Sequence, residues 1–197
     1  MNLEYSFITF KNAISSRLCD DIINLGMNSP LIKGKVFNKT QSSLENNKHR
    51  DSDVAFFDSS KWIMKEIYPY LVKANKLAKW NFQLSGYESP QFTVYEKNQF
   101  YNWHADSLPS PYTHGNFYGK TRKISVALPL NNKEEYEGGE FQFCINEKTE
   151  QKVITCKDIL QKGSLLIFPS FLIHQVTNVT KGKRYSLIIW NLGDPFK

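Results

Sequence analysis

Up to about residue 80 the apolar positions recur at helical spacing, and beyond it they alternate, so periodicity alone divides the chain into a helical part and a strand-rich part. Tyr5, Phe7, Ile8 and Phe10 predict a short opening strand within 4–10. A helix follows: Ser15 or Ser16 can cap it, Leu18, Ile22 and Leu25 share one face, and Gly26 stands where it should end. From 28 to 53, Asn, Ser, Lys and Gly dominate, which predicts an irregular excursion with short strand pieces. Asp58 is placed to cap a second helix with the stripe Ile63, Ile67, Leu71, Ala74 and Ala78, and Pro69 is expected to kink or split it.

After Trp80 the period is two. Segments 91–95, 123–128, 139–143, 164–168 and 185–190 are rich in β-branched and aromatic residues and are bounded by Gly, Pro and Asn. Many short strands of this kind predict an α+β fold, mainly β: a sandwich or barrel-like jelly roll with flanking N-terminal helices. At 197 residues one domain is expected over 1–197, with helical support at about 13–80 and the β core at about 81–193. Residues 107–120, with their prolines, glycines and aromatics, predict a loop placed as a lid over whatever lies beside them.

Composition narrows the setting. The net charge of +6 comes from scattered lysines rather than one block, so a basic surface is expected without a defined nucleic-acid patch. Cys19, Cys144 and Cys156 are odd in number and show no C-x-x-C spacing, against a disulfide framework or zinc knuckle and in favour of a reduced, cytoplasmic protein. The first residues lack the pattern of a secretory signal, and no apolar run approaches a membrane span, so no membrane association is expected. The oligomeric state is not legible.

Against this ordinary background His104 and Asp106 stand out. In a strand, residues i and i+2 project from one face roughly 6.6 Å apart and can converge on one ion. His174, alone in the apolar run 169–176, supplies a third ligand. Two imidazoles and a carboxylate, with the rest of the coordination sphere open, form the facial triad of non-haem Fe(II) sites; a set without Cys argues against structural zinc. Arg184 adds a planar cation able to fork onto a carboxylate, and Ser186, on the same face of its strand, a hydroxyl. The ordinary alternatives are a hydrogen-bonded core histidine, a solvated arginine and, for Tyr95 and Tyr101, strand packing. Gly138 and Gly139 fit a turn, and His49 and His114 a surface.

The run from Tyr95 to Asp106, with its Tyr, Gln99, Tyr101 and H-x-D, resembles the Fe(II)- and 2-oxoglutarate-dependent oxygenases, specifically the prolyl 4-hydroxylase-like branch. Residues 122–130, the Gly138-Gly139 hairpin, 163–168 and the region from His174 to Trp190 are similar to the same branch, so the likeness covers about 85–193. It implies a double-stranded β-helix, or cupin-like jelly roll, in which His104, Asp106 and His174 hold Fe(II). Arg184 would bind the distal carboxylate of 2-oxoglutarate, assisted by Tyr95, Ser186 and Tyr101. Animal and plant members typically carry Lys in place of Arg184; the Arg form looks more like bacterial and phage relatives.

The implied activity is hydroxylation of a C–H bond, on a peptidyl or protein residue such as proline, with O2 consumed, succinate and CO2 released, and ascorbate as a reductant. A substrate would enter by a groove bordered by 37–57 and 107–120. Two rival readings are a nucleic-acid dealkylase with the same iron chemistry, less favoured because no base-flipping cluster of aromatic and basic residues is evident, and a non-enzymatic metal-binding jelly roll.

Overall fold

A computed structural model of the chain describes residues 5–35, 49–58, 60–108, 110–147, 150–157 and 161–196. The helices are α1 (Ser16–Met27) and α2 (Lys61–Leu77). The larger sheet runs β1 (Ile8–Phe10), β12 (Leu165–Pro169), β8 (Thr121–Pro129), β15 (Arg184–Gly193), β6 (Gln91–Tyr95), β4 (Asp53–Phe56) and β2 (Ile32–Lys33), with β5 (Gly86–Tyr87) also on β15. A second sheet runs β11 (Glu150–Thr155), β10 (Phe141–Glu147), β13 (Ile173–Val176), β7 (Phe100–His104) and β3 (Arg50–Asp51), and β14 (Val179–Gly182) pairs with β9 (Tyr136–Gly138). Every pairing is antiparallel. This is the expected jelly-roll core with N-terminal helices against it.

The larger sheet is buried on both faces, and its alternation sorts side chains into two interiors. Ile124, Val126 and Leu128 on β8, Leu165 and Ile167 on β12, Leu187 and Ile189 on β15, and Phe92 and Val94 on β6 pack with Ile22, Ile63, Ile67, Leu71 and Ala74 of the helices. The intervening Ala127, Leu166, Phe168 and Tyr95 join Phe141, Phe143 and Val176 of the second sheet. The functional residues belong to this second, inter-sheet space.

Several local expectations change. Ser15 caps α1 through its hydroxyl, which accepts from Leu18 N at 3.2 Å, but the helix runs past Gly26 to Met27, with Asn28 as its C-cap. Gly26 is small for a different reason: a Cβ there would collide with the Phe92 ring. The buried stripe is Cys19, Ile22 and Gly26, and Leu25 is exposed. Asp58 does not cap α2; the N-cap is Ser60, without a side-chain bond, and Asp58 accepts from Ser89 at 3.2 Å. Pro69 does not split α2, whose buried residues Ile63, Met64, Ile67, Leu71 and Ala74 hold it on the sheet through the missing N–H bond. The strand expected at 139–143 starts at Phe141, because Gly138 (φ 71°) and Gly139 (φ 60°) form the turn before it. Half of the excursion at 28–53 lies outside the described residues; its described parts contribute β2, β3 and the start of β4.

Candidate active site

On β13 the inward positions are His174 and Val176, and on β7 the register sets His174 opposite His104 and Val176 opposite Tyr101. Two residues on β13 therefore span three steps on β7, a bulge. Plain alternation would send Tyr101 and His104 to opposite faces; the bulge turns both inward, their rings stacked with centroids 3.4 Å apart. β7 ends at His104, so Asp106 lies just beyond the strand rather than in it. Its place is fixed by backbone contacts instead: Arg122 Nη1 donates to Asp106 O (3.3 Å), and Ser107 N to Ser170 O (2.8 Å).

The three side chains converge. One ligand atom from each of His104, Asp106 and His174 lies within 4.8 Å of the others. His104 Nε2 is 3.8 Å from Asp106 Oδ1, and His174 Nε2 is 3.6 Å from Asp106 Oδ2. These are too long for hydrogen bonds, but donors sharing one first-row metal through bonds of roughly 2.0–2.2 Å stand about 3–4 Å apart. Nδ1 of His104 meets Asn102 O at 2.7 Å and Nδ1 of His174 meets Leu172 O at 2.8 Å. A carbonyl only accepts, so each ring keeps a proton on Nδ1 and turns its Nε2 toward Asp106. Asp106 Oδ2 is buried without a hydrogen-bond partner. A buried carboxylate with one orphaned oxygen, faced on its two oxygens by two imidazole Nε2 atoms, fits a divalent cation.

Electrostatics agree with that fit. Burial, then the adjacent His174, push His104 down to about 3, so its ring is neutral at ordinary pH. Burial would raise the Asp106 carboxyl, but His174, His104, Arg122 and a bond from Ser125 outweigh it and hold the group low, as a carboxylate. Phe141, Phe143 and Phe168 surround the His174 ring, keeping water from it.

Of the other expected residues, Arg184 pairs in register with Tyr95 and is 3% exposed. Its Nη1 donates to Ser186 Oγ at 3.1 Å, its guanidinium lies 5.5 Å from the Tyr95 ring centroid, and Nε is buried with no partner. A Cβ on Gly139 would come within 2.9 Å of Arg184 Cδ, so the Gly-Gly turn also makes room for this side chain. Among the described residues no carboxylate pairs with Arg184, so it has capacity for an external one. Tyr95, fully interior, feels the charges of Arg50, Arg184 and Asp106; burial raises its phenol and pushes that of Tyr101 up to about 12. Both are neutral donors.

A cavity of about 530 Å³ reaches His104, Asp106 and Tyr101 from outside, between Arg50, Phe56, Leu108, Arg122 and Trp190. Arg184, Tyr95, Ser186 and His174 do not line it; they lie deeper. Both expected borders of the groove are represented among the described residues, by Arg50, Val54 and Phe56 on one side and Ser107, Leu108 and Tyr112 on the other, and Lys33 and Lys35 extend the lining beyond them. His49 and His114 are exposed, as expected. In the 107–120 segment Tyr112 is anchored through its OH to Glu88 (2.7 Å), whereas Tyr118 is 74% exposed.

Arg122, Glu88 and Arg50 also line the cavity, although the sequence does not single them out. Arg122 forms a fork with Glu88, both bonds 2.6 Å, and stacks on Trp190 at 3.8 Å. An arginine opening an apolar strand was the available signal; Glu88 gave none, being 34 positions from its partner.

A family model described as the 2OG-Fe(II) oxygenase superfamily matches residues 90–191. A PKHD-type hydroxylase of Xylella fastidiosa is 35% identical over 104 residues, covering 51% of this chain and 43% of the relative. The chain thus spans under half the length of the curated relatives it matches. Among solved structures, a Pseudomonas putida prolyl-4-hydroxylase superposes with a TM-score of 0.71 at 16% identity, covering 95% of this chain and 92% of that one. A Trichoplax adhaerens prolyl hydroxylase, in complex with a hypoxia inducible factor oxygen degradation domain peptide fragment, gives 0.68 at 20% identity, with 94% and 83% covered.

Proposed function

Because the chain belongs to the 2OG-Fe(II) oxygenase superfamily, we propose that it is a dioxygenase that hydroxylates a C–H bond on a peptidyl or protein residue, proline first among them. The observation that carries this is the preformed triad: two Nε2 atoms, oriented by their Nδ1 bonds, each facing a different oxygen of the buried Asp106 carboxylate, one of which is orphaned. In this reading His104, Asp106 and His174 hold Fe(II), and Arg184 with Ser186 grips the distal carboxylate of 2-oxoglutarate. Tyr95 and Tyr101 offer phenolic donors nearby. When bound, iron with 2-oxoglutarate and O2 supplies the oxidation, one oxygen atom passing to the substrate C–H and the other to succinate as CO2 leaves.

The chain's own tasks are binding and orientation. Arg184 fixes one end of the co-substrate by a charge-assisted pair in a dry interior. The aromatic cage of His174 and the stack of Tyr101 on His104 hold the imidazoles in one rotamer and exclude water. The outer cavity, with Phe56, Tyr101 and Trp190, takes an apolar ring or side chain up to the triad. The hydroxylase names of the curated relatives and the peptide bound to one structural neighbour support a peptide substrate. Three cysteines, none of them in a disulfide among the described residues, favour a reducing, cytoplasmic setting.

The test is succinate formation with Fe(II), 2-oxoglutarate and ascorbate, followed by mass spectrometry of host-lysate proteins and peptides for additions of one oxygen. The expected result is turnover stimulated by peptide. Succinate at the level of an Asp106→Ala control would end the enzymatic reading, and stimulation by methylated oligonucleotide alone would move it to nucleic acid.

A further inference from the structure

Arg50 is a buried cation that the proposed chemistry leaves unused. It sits on β3, 4% exposed, in register with Tyr101. Its Nε donates to Ser52 Oγ (2.8 Å) and its Nη1 to Lys35 O (3.2 Å). The guanidinium lies over the Tyr101 ring, 4.6 Å from the centroid, and His104 stacks on the same ring. Gly34 packs against it so closely that a Cβ would fall 2.5 Å from Nε. The side chain is therefore held in one orientation, one aromatic ring away from the triad, on the wall of the outer cavity.

Several of the other charges around that cavity are answered within the chain. Lys33 pairs with Asp51 (3.1 Å) and Asp53 (3.0 Å), Arg122 forks onto Glu88, and Asp106 faces the two histidines. Among the described residues Arg50 meets neutral partners only. A guanidinium offers five N–H groups, and two are accounted for here. A buried cation without a counter-charge is costly, and a π face with two neutral acceptors offsets only part of that cost. A carboxylate arriving with the substrate would complete it, and little ordering would remain to be done.

We propose that Arg50 is the specificity determinant of this site, gripping the carboxylate of an Asp or Glu side chain close to the target residue, so that the substrates are acidic peptide segments. This rests on the peptide hydroxylation reading above. It assigns Arg184 and Arg50 to different carboxylates, the first to the co-substrate and the second to the substrate.

The experiment is a library of proline-centred peptides carrying Asp, Asn or Lys at each flanking position, with oxygen addition read by mass spectrometry. Wild type should favour Asp over Asn at one position by roughly thirtyfold or more in kcat/KM. Arg50→Gln should bring that ratio near one, Arg50→Lys should keep part of it, and Arg50→Glu should favour Lys. If Arg50 only propped Tyr101, all peptides would lose together and the ratio would stand; an unchanged ratio in Arg50→Gln, or no acidic preference in wild type, overturns the proposal. Should no peptide be oxidised, the peptide reading fails and Arg50 is judged by binding alone. Capped Asp dipeptides must then bind wild type more tightly than their Asn counterparts by NMR titration, with the difference lost in Arg50→Gln. Equal binding overturns the inference.

Discussion

At His104 and His174 the deciding atom is the one that points away from the site. With each Nδ1 committed to a carbonyl, only Nε2 can serve as ligand, and the rings have no second tautomer to adopt. Asp106→Ala removes the third donor, and Co(II) affinity, followed by its visible absorption, is expected to fall by tenfold or more, roughly the range of an outer-sphere change at least, with succinate formation lost. Retained affinity would show that the ligand is misassigned. Arg184→Gln should raise the apparent 2-oxoglutarate constant by roughly thirtyfold or more while Co(II) affinity changes little, because it truncates a buried charge pair remote from the metal donors. These four residues were legible in the sequence because each is a polar exception in an apolar or strand-like context. The Glu88–Arg122 fork was not, since nothing in either neighbourhood announces a partner 34 positions away.

At the scale of elements, the second helix shows what periodicity can and cannot supply. Its buried stripe was readable, whereas its cap and the effect of Pro69 depended on neighbours: Asp58 is engaged by Ser89, and the core contacts of α2 keep it whole across the proline. The bulge in β7 was invisible too, because it exists only relative to the register of β13. In α1 a glycine that reads as a terminator is instead a contact surface for Phe92. Gly26→Ala should therefore destabilise by about 1–3 kcal/mol as an overpacked contact rather than stabilise as a helix former. At roughly 2–4 °C per kcal/mol for a chain of this size, calorimetry should show a lower melting temperature. An unchanged or raised value would mean that α1 and β6 can separate without cost.

On the scale of the whole molecule, two interiors share one sheet, and their titrations differ. In the helical interior, burial pushes the Cys19 thiol up to about 11 from its ordinary 9.0. The unfolded chain therefore releases this proton first, so between those values the native state holds more protons and stability falls as pH rises. The urea midpoint should decline from pH 8 to 10.5 more steeply in wild type than in Cys19→Ala; parallel curves would remove Cys19 as the cause. Iodoacetamide at pH 8 should modify Cys144 well before Cys19, which is fully buried. The sheet between the interiors has a further consequence, best put as a reading frame. On β8, Ile124, Val126 and Leu128 go one way and Ser125 and Ala127 the other. Deleting a single residue would exchange the two inventories beyond that point, driving branched aliphatics toward the His-Asp-His triad and hydroxyls into the helical packing. Such a strand tolerates spelling changes but not a dropped letter, so length differences among chains of this kind belong in the turns.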